Sequence, residues 1–204
     1  MQIILIKRTD LYIRIKLKND IFKMKAAIFY TGKFGSTKKY AYWINERNDF
    51  PVFDLNKENP NPDDYDLLIL GSSIIAMKPT IRKWLLRNWP IIKDKQILLY
   101  TVSGTEPGHP DLQLWLNQSL SKEILEHLHY VPLRGRLALN ELPWIMRIFL
   151  KIASKVEKDP DIRKRMAEGF DYMEKNSIEP IFEWIANQEG RFTDNTIKRQ
   201  LQFA

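Results

Sequence analysis

A short loop, Thr31–Thr37, carries the residues of this chain that are best suited to bind a ligand. It follows an apolar run, Ala26–Tyr30, and its last two residues are suited to cap a helix. A helix N-terminus presents free N–H groups and the positive end of the helix dipole, which favour an anion. The two glycines let the backbone approach a ligand, and the hydroxyls add donors. We therefore predict that this loop binds a phosphate monoester through Thr31, Gly32, Lys33, Phe34, Gly35, Ser36 and Thr37.

Several other phosphate sites are disfavoured by the same residues. The loop matches neither G-x-x-x-x-G-K-[ST] nor G-x-G-x-x-G, which argues against a nucleotide triphosphatase and a classical dinucleotide fold. A response regulator needs an acidic pair after its first strand and an aspartate after its third. Here those places hold Thr31-Gly32 and Gly71-Ser72. The remaining alternative is an ordinary capped turn without a ligand.

Two further apolar runs end in small, polar residues. Leu67–Leu70 is followed by Gly71-Ser72-Ser73, and Ile97–Val102 is followed by a loop that reaches Gly108. The candidate binding residues in these loops are Ser72, Ser73, Ile74, Val102, Ser103, Gly104 and Thr105.

The elements that must position these loops alternate between strands and helices. The predicted strands are Ala26–Tyr30, Val52–Leu55, Leu67–Leu70, Ile97–Val102 and Tyr130–Leu133. The predicted helices run from Ser36 to about Glu46, Pro79 to Trp89, Asp111 to Leu128, Leu142 to Val156, and Ile178 to Ala186. Uniformly apolar strands are buried on both faces, so the sheet should be parallel and covered by helices on both sides. We predict an α/β fold, a three-layer doubly wound five-stranded parallel sheet with a helical insertion after strand five. In such sheets, ligands bind outside the carboxyl ends of the strands, where the three loops fall.

The length of 204 residues favours one domain. We expect an N-terminal extension (1–23), one ligand-binding domain (24–190) with an insertion at about 137–165, and a C-terminal tail (191–204); Met24 is a candidate start. Because the chain has no cysteine, it has no disulfide, thiolate metal site or cysteine nucleophile. His127 and His129 lack a carboxylate cluster, so no metal site is predicted.

The positive charge is concentrated in two segments. Residues 1–23 contribute +4 and residues 131–165 contribute +5 to the net charge of +7. Within the second segment, cations recur every four residues along the predicted helix Leu142–Val156, next to apolar residues. This pattern is typical of a helix that binds an anionic membrane surface. Its predicted membrane residues are Trp144, Arg147, Lys151 and Lys155. Packing on the sheet and contact within a homodimer are the alternatives.

The first loop and its flanks resemble a known signature. The pattern Ile28-Phe29-Tyr30-x-x-x-x-Gly35-x-Thr37-x-x-x-Ala41-x-x-Ile44 is similar to the flavodoxin phosphate loop, except that the family usually has Ser or Thr where this chain has Gly32. Within that superfamily, Ile69–Ile74 and Leu133–Leu137, followed by the helix Trp144–Ser154, resemble the bacterial menaquinone-dependent protoporphyrinogen dehydrogenases. The resemblance covers about Met24–Trp184.

The resemblance implies an FMN cofactor whose isoalloxazine ring lies between Gly71–Met77 and Val102–Gly108. It further implies that hydrogen passes from a porphyrinogen to the flavin and then to a quinone in haem biosynthesis. Arg134 and Arg136 would pair with the propionates, although structural salt bridges explain both arginines equally well. A cytoplasmic protein at the inner face of the cytoplasmic membrane is expected.

Three other functions remain open. A non-enzymatic flavodoxin-type electron carrier is usually strongly acidic, whereas Met24–Ala204 has a net charge of +3. A flavin-free interaction module would explain Gly32 and the lack of a Trp or Tyr to stack on the ring. A quinone reductase with a nicotinamide donor is not excluded by any motif. Nucleic acid is not an expected partner, because Lys198 and Arg199 lie in no recognition motif.

Overall fold

Five parallel strands form the centre of the computed structural model, which describes residues 24–202, with side chains through Asp194. The predicted extension 1–23 and the side chains of Lys198 and Arg199 lie outside the described residues. The parallel strands are β1 (Ala26–Thr31), β2 (Val52–Asp54), β3 (Leu67–Ile75), β5 (Gln96–Ser103) and β6 (His129–Arg134). Their order across the sheet is β2-β1-β3-β5-β6, and the short strand β4 (Lys78–Pro79) pairs antiparallel with the end of β3. The predicted doubly wound parallel sheet is confirmed.

Helices cover both faces of this sheet. They are α1 (Ser36–Asn48), α2 (Arg82–Ile92), α3 (Pro110–Ser119), α4 (Lys122–His127), α5 (Trp144–Val156), α6 (Pro160–Glu168) and α7 (Glu179–Gln202). Successive strand residues point to opposite faces, so Ile28 packs with α1 and α7 while Phe29 packs with α2, α3 and α4. Two apolar layers therefore enclose the sheet and hold the carboxyl ends of its strands in place.

Two predicted helices have the wrong bounds. The helix predicted from Pro79 to Trp89 is α2 (Arg82–Ile92), because Lys78-Pro79 form β4. Pro90 lies inside α2 instead of ending it, because in the last turn it removes only one hydrogen bond. Lys93 N–H still donates to the Trp89 carbonyl at 3.0 Å, and Ile92 is fully buried. The helix predicted from Asp111 to Leu128 is two helices. The break comes at Leu120, and the Ser121 hydroxyl then caps α4 by accepting from Ile124 N–H.

The insertion is attached to the rest of the domain by a two-stranded ribbon. Strands β7 (Arg136–Leu137) and β8 (Phe170–Asp171) pair antiparallel and bracket α5 and α6. The segment between them extends a few residues beyond the predicted insertion of about 137–165. The closing helix α7 is longer than predicted and continues to Gln202, past the predicted start of the tail at 191.

Candidate functional site

The loop between β1 and α1 ends in a helix N-terminus without a side-chain cap. Gly35 occupies the N-cap position with a φ of 85°, a left-handed conformation that favours glycine. No acidic residue lies in the first turn of α1, and Lys33, Lys38 and Lys39 are exposed around it. A β-carbon at position 35 would meet nothing within 4 Å. The helix dipole, the uncapped N-terminus and the lysines together make this end of the sheet suited to a dianionic phosphate.

A pair of buried hydroxyls lies directly behind the loop. Thr37 Oγ1 and Ser73 Oγ are 2.7 Å apart and connect α1 to the end of β3. A β-carbon on Gly32 would lie 3.0 Å from Thr37 Oγ1 and 3.1 Å from Ser73 Oγ. The Thr37 and Ser73 hydroxyls therefore lie next to the place where a Ser or Thr side chain at position 32 would be. The loop has hydroxyl groups close to this place although residue 32 is glycine.

The side chains of Ser72 and Ser73 make different contacts, because successive residues of a strand point to opposite faces of the sheet. Ser72 is fully buried, and its hydroxyl accepts from Ile81 N–H at 3.2 Å. It lies 3.3 Å from the Thr80 hydroxyl, which is itself 2.6 Å from the Thr31 hydroxyl. The hydroxyls of Thr31 and Ser72 therefore fasten β1 and β3 to the start of α2, and the Ser73 side chain is the one that reaches the first loop.

Ser36 links the first loop to the insertion. Its hydroxyl donates to the Arg136 carbonyl at 3.2 Å and accepts from Arg136 N–H at 3.0 Å. Next to it, Gly135 N–H donates to the Ser103 carbonyl at 2.7 Å. Ser36 thus joins the N-terminus of α1 to the beginning of β7, and the first and third loops are held together at one edge of the sheet.

The third loop is covered by the insertion. Val102 is buried, and the Ser103 hydroxyl accepts from Thr105 N–H at 3.1 Å. The Arg165 guanidinium of α6 donates to the Gly104 carbonyl at 2.6 Å. A β-carbon on Gly104 would come within 2.8 Å of the Phe170 ring, so the insertion packs directly on this glycine. The insertion therefore forms one wall of the site rather than a separate appendage.

Two buried tyrosines, which the sequence reasoning missed, hold the loops in position. Tyr100 Oη donates to the Thr37 carbonyl at 3.0 Å, and Tyr40 Oη donates to the Arg134 carbonyl at 2.8 Å. Burial raises the pKa of both phenols, that of Tyr100 well above its usual range, so both remain protonated donors. Tyr100 lies opposite Gly71 on the neighbouring strand, and a β-carbon on Gly71 would overlap its phenol ring. Only the strand register reveals this pairing.

Arg134 and Arg136, which the sequence suggests as equal candidates for binding substrate carboxylates, have different partners in the structure. The Arg136 guanidinium contacts the carboxylates of both Glu141 and Asp171, the latter at 3.3 Å. These carboxylates, Glu141 foremost, raise the pKa of Arg136. Within residues 24–194, Arg134 pairs with one exposed carboxylate, Glu106, at 3.3 Å, and its buried Nε atom has no hydrogen-bond partner. Of the two guanidinium groups, Arg134 is the one with capacity left for a ligand.

Arg134 faces a cleft between the third loop and α6. Its guanidinium carbon lies 3.7 Å from the centre of the Tyr172 ring, which fixes the orientation of the charged group. The cleft has a volume of about 520 Å³. Its walls carry three cations and five carboxylates, namely Arg134, Lys164, Arg165, Glu106, Asp111, Asp159, Asp161 and Glu168. A volume of this size suits a small organic ligand. The cleft meets the third loop at Thr105 and Glu106.

The sequence of residues 27–163 matches the family described as the flavodoxin domain. The chain belongs to the flavodoxin domain family. No curated protein matches it significantly.

Solved structures similar to this flavodoxin domain include three bacterial proteins. A flavoprotein in complex with FMN from Lactobacillus acidophilus NCFM is 18% identical, with 55% of this chain and 93% of that chain covered and a TM-score of 0.37. A WrbA-like flavodoxin from Agrobacterium tumefaciens is 16% identical, with 54% and 83% covered and a TM-score of 0.36. The Trp repressor binding protein from Bacillus subtilis is 14% identical, with 70% and 95% covered and a TM-score of 0.41.

The residues predicted to meet a membrane lie outside this loop site. Trp144, Arg147, Lys151 and Lys155 are all on α5, which packs against α6, and none of them lines the cleft. Across the described part of this flavodoxin domain, no helix has the length and apolar character needed to cross a bilayer. Among the same residues, no group of three or more His, Asp or Glu side chains could hold a metal.

Proposed function

We propose that this flavodoxin domain is an FMN-dependent oxidoreductase. The observation that carries the proposal is the uncapped N-terminus of α1 at Gly35, surrounded by lysines and backed by the Thr37–Ser73 hydroxyl pair. Its position at the carboxyl edge, between β1 and β3, is the place where a doubly wound sheet binds its ligand. The match to the flavodoxin domain family supports FMN as the phosphate ester that this loop would bind.

The residues present fit such a cofactor. Residues 31–37 would hold the phosphate, while Gly71–Met77 and Val102–Gly108 would flank the ring. Ile74 and Met77 supply apolar surface beside the second loop, with Met77 60% exposed. When bound, the flavin supplies the redox chemistry, and the protein supplies orientation, exclusion of water and electrostatics. Because the flavin would supply the redox chemistry, the loop residues need not include a paired general acid and base.

We further propose a hydrogen donor that carries carboxylates, of the protoporphyrinogen class, with a quinone as the acceptor. Arg134 supports this choice, because Glu106 is its one carboxylate partner among the described residues and its side chain lines a cleft beside the third loop. Arg136 is the weaker candidate, because Glu141 and Asp171 already neutralise it. A lipid-soluble quinone would be met at the inner face of the cytoplasmic membrane.

The cofactor is tested by the visible absorption spectrum of the protein before and after addition of FMN. Flavin bands with saturable binding are expected. The Thr37→Val variant keeps the shape of the side chain but loses the hydroxyl, and a lost charge-assisted hydrogen bond should weaken FMN binding about tenfold or more. Thr193→Val is the matched control, because its hydroxyl bonds within α7 to the Glu189 carbonyl. The absence of FMN binding by the folded wild-type protein would overturn the proposal.

An electron carrier of the same fold is the second candidate, and turnover separates the two. An enzyme oxidises protoporphyrinogen with a quinone through many cycles. A carrier binds FMN and exchanges electrons with a redox partner but does not turn this substrate over. The net charge of +3 for Met24–Ala204 favours the enzyme, because carriers of this kind dock on basic partners.

A further inference from the structure

Helix α5 exposes its most hydrophobic face to solvent. The exposed fractions of its large apolar residues range from 49% to 77%. These residues are Trp144, Ile145, Ile148, Phe149, Ile152 and Val156. The one buried residue of the helix is Ser154, whose hydroxyl donates to the Lys151 carbonyl at 2.9 Å. Burial of the apolar face against the sheet, one of the alternatives raised by the sequence, is therefore not what this helix does.

The residues of α5 divide into three arcs around the helix axis. At about 100° per residue, the exposed apolar residues span an arc of about 140°. A second arc holds the partly or fully buried residues Met146, Leu150, Ala153 and Ser154. The third arc, between them, holds Arg147 and Lys151, and Lys155 lies just past it, between Trp144 and Ile148 at the edge of the apolar arc. The helix thus rests on the protein by one face and presents an apolar face bordered along one edge by positive charge.

The cations of this edge form no ion pair with the part of the chain that the structure describes. Among the ion pairs of the described residues, none involves Arg147, Lys151 or Lys155. Helix α5 itself contains three cations and no acidic residue. A partner for this surface must therefore accept apolar side chains and supply negative charge beside them.

We propose that α5 binds the surface of an anionic lipid bilayer, with its axis in the plane of the interface. The apolar arc would enter the boundary between headgroups and acyl chains, and the basic edge would contact the anionic headgroups. Trp144, 63% exposed at the first turn, would sit at the level of the headgroups. A second copy of this chain is a poorer occupant, because its own α5 would bring three more cations and no anion.

This binding does not depend on the flavin chemistry, so the two proposals fail or succeed separately. In vesicle flotation, the wild-type protein should bind mixed phosphatidylcholine and phosphatidylglycerol vesicles and bind pure phosphatidylcholine vesicles much more weakly. The Ile148→Ser/Phe149→Ser variant should reduce binding about thirtyfold or more, because two half-exposed apolar side chains are lost. The Lys151→Gln/Lys155→Gln variant should reduce it about thirtyfold on the anionic vesicles.

The matched control replaces exposed leucines on other helices. Leu86 of α2 and Leu114 of α3 are 39% and 49% exposed, and the Leu86→Ser/Leu114→Ser variant should bind vesicles like the wild type. Brominated lipids should quench wild-type tryptophan fluorescence and lose most of this effect in Trp144→Phe. Circular dichroism shows whether each variant is folded.

Three outcomes would overturn the proposal. One is wild-type binding that is equal on neutral and anionic vesicles, or absent from both. Another is a loss of binding in the leucine control as large as that in the α5 variants. The third is a wild-type protein that ignores vesicles but sediments as a dimer, with Ile148→Ser/Phe149→Ser restoring the monomer; the occupant of the face is then a second copy.

Discussion

Replacing Gly71 with alanine should destabilise the protein through a residue on the neighbouring strand. The added β-carbon would overlap the Cζ and hydroxyl oxygen of Tyr100 and lie 2.9 Å from its Cε1. The phenol ring is fully buried and cannot swing away, and its hydroxyl holds the Thr37 carbonyl. Overpacking of a core costs about 1–3 kcal/mol, and the strained hydrogen bond adds about 1 kcal/mol. We expect Gly71→Ala to lower the free energy of unfolding by about 2–4 kcal/mol.

Denaturant unfolding of four proteins measures this cost: the wild type, Gly71→Ala, Tyr100→Val and the double variant. Valine lacks all three Tyr100 atoms that the new β-carbon would meet, so Gly71→Ala should cost much less in that background. Gly190→Ala is the matched control, because a β-carbon there meets no atom of the described residues within 4 Å and alanine is the better helix former. A cost below about 1 kcal/mol, or an equal cost in both backgrounds, would refute the reasoning.

The remaining predictions concern ligand charge and pH. Arg134→Gln should raise the KM for a carboxylate-bearing substrate about tenfold or more and leave FMN affinity unchanged, because a charge-assisted hydrogen bond is lost. Arg136→Gln should change KM much less, since Glu141 already pairs with Arg136; steady-state kinetics that show equal effects would contradict this assignment. Burial and, secondarily, Asp54 raise the pKa of Tyr30 to about 12. Because the folded state holds this proton more tightly, the stability it confers is complete below pH 10 and is lost as the pH rises from 10 to 12. Tyr30→Phe should flatten that fall in urea titrations, and an unchanged slope would show that Tyr30 does not cause it.

Much of the fold follows from patterns that are local in the chain. The run Leu67–Leu70 is apolar at every position, so it predicts a strand buried on both faces wherever the chain places it. The loop that ends in Gly35-Ser36-Thr37 predicts a helix start from the same few residues. Helix ends were less predictable, because Pro90 is tolerated only where the loss of one hydrogen bond is offset by the burial of Ile92.

The role of each residue in the candidate site depends on contacts between parts of the chain that are distant in sequence. The difference between Arg134 and Arg136 is only partly local: Glu141 lies five residues beyond Arg136, but Asp171 comes beside Arg136 because β7 pairs with β8. Likewise, Gly71 is required because the register places Tyr100 opposite it.

Helix α5 shows the same division between sequence and tertiary structure. Its residue types alone determine that it is amphipathic and basic, since helical periodicity is a property of the local chain. The sequence shows one wide apolar arc and cannot tell which part of it is covered. In the folded protein Met146 and Leu150 are partly buried, whereas Ile148 and Phe149 are exposed to solvent. Only the tertiary structure determines which part of the apolar arc is exposed, because exposure depends on which surfaces pack together and not on which residues are apolar.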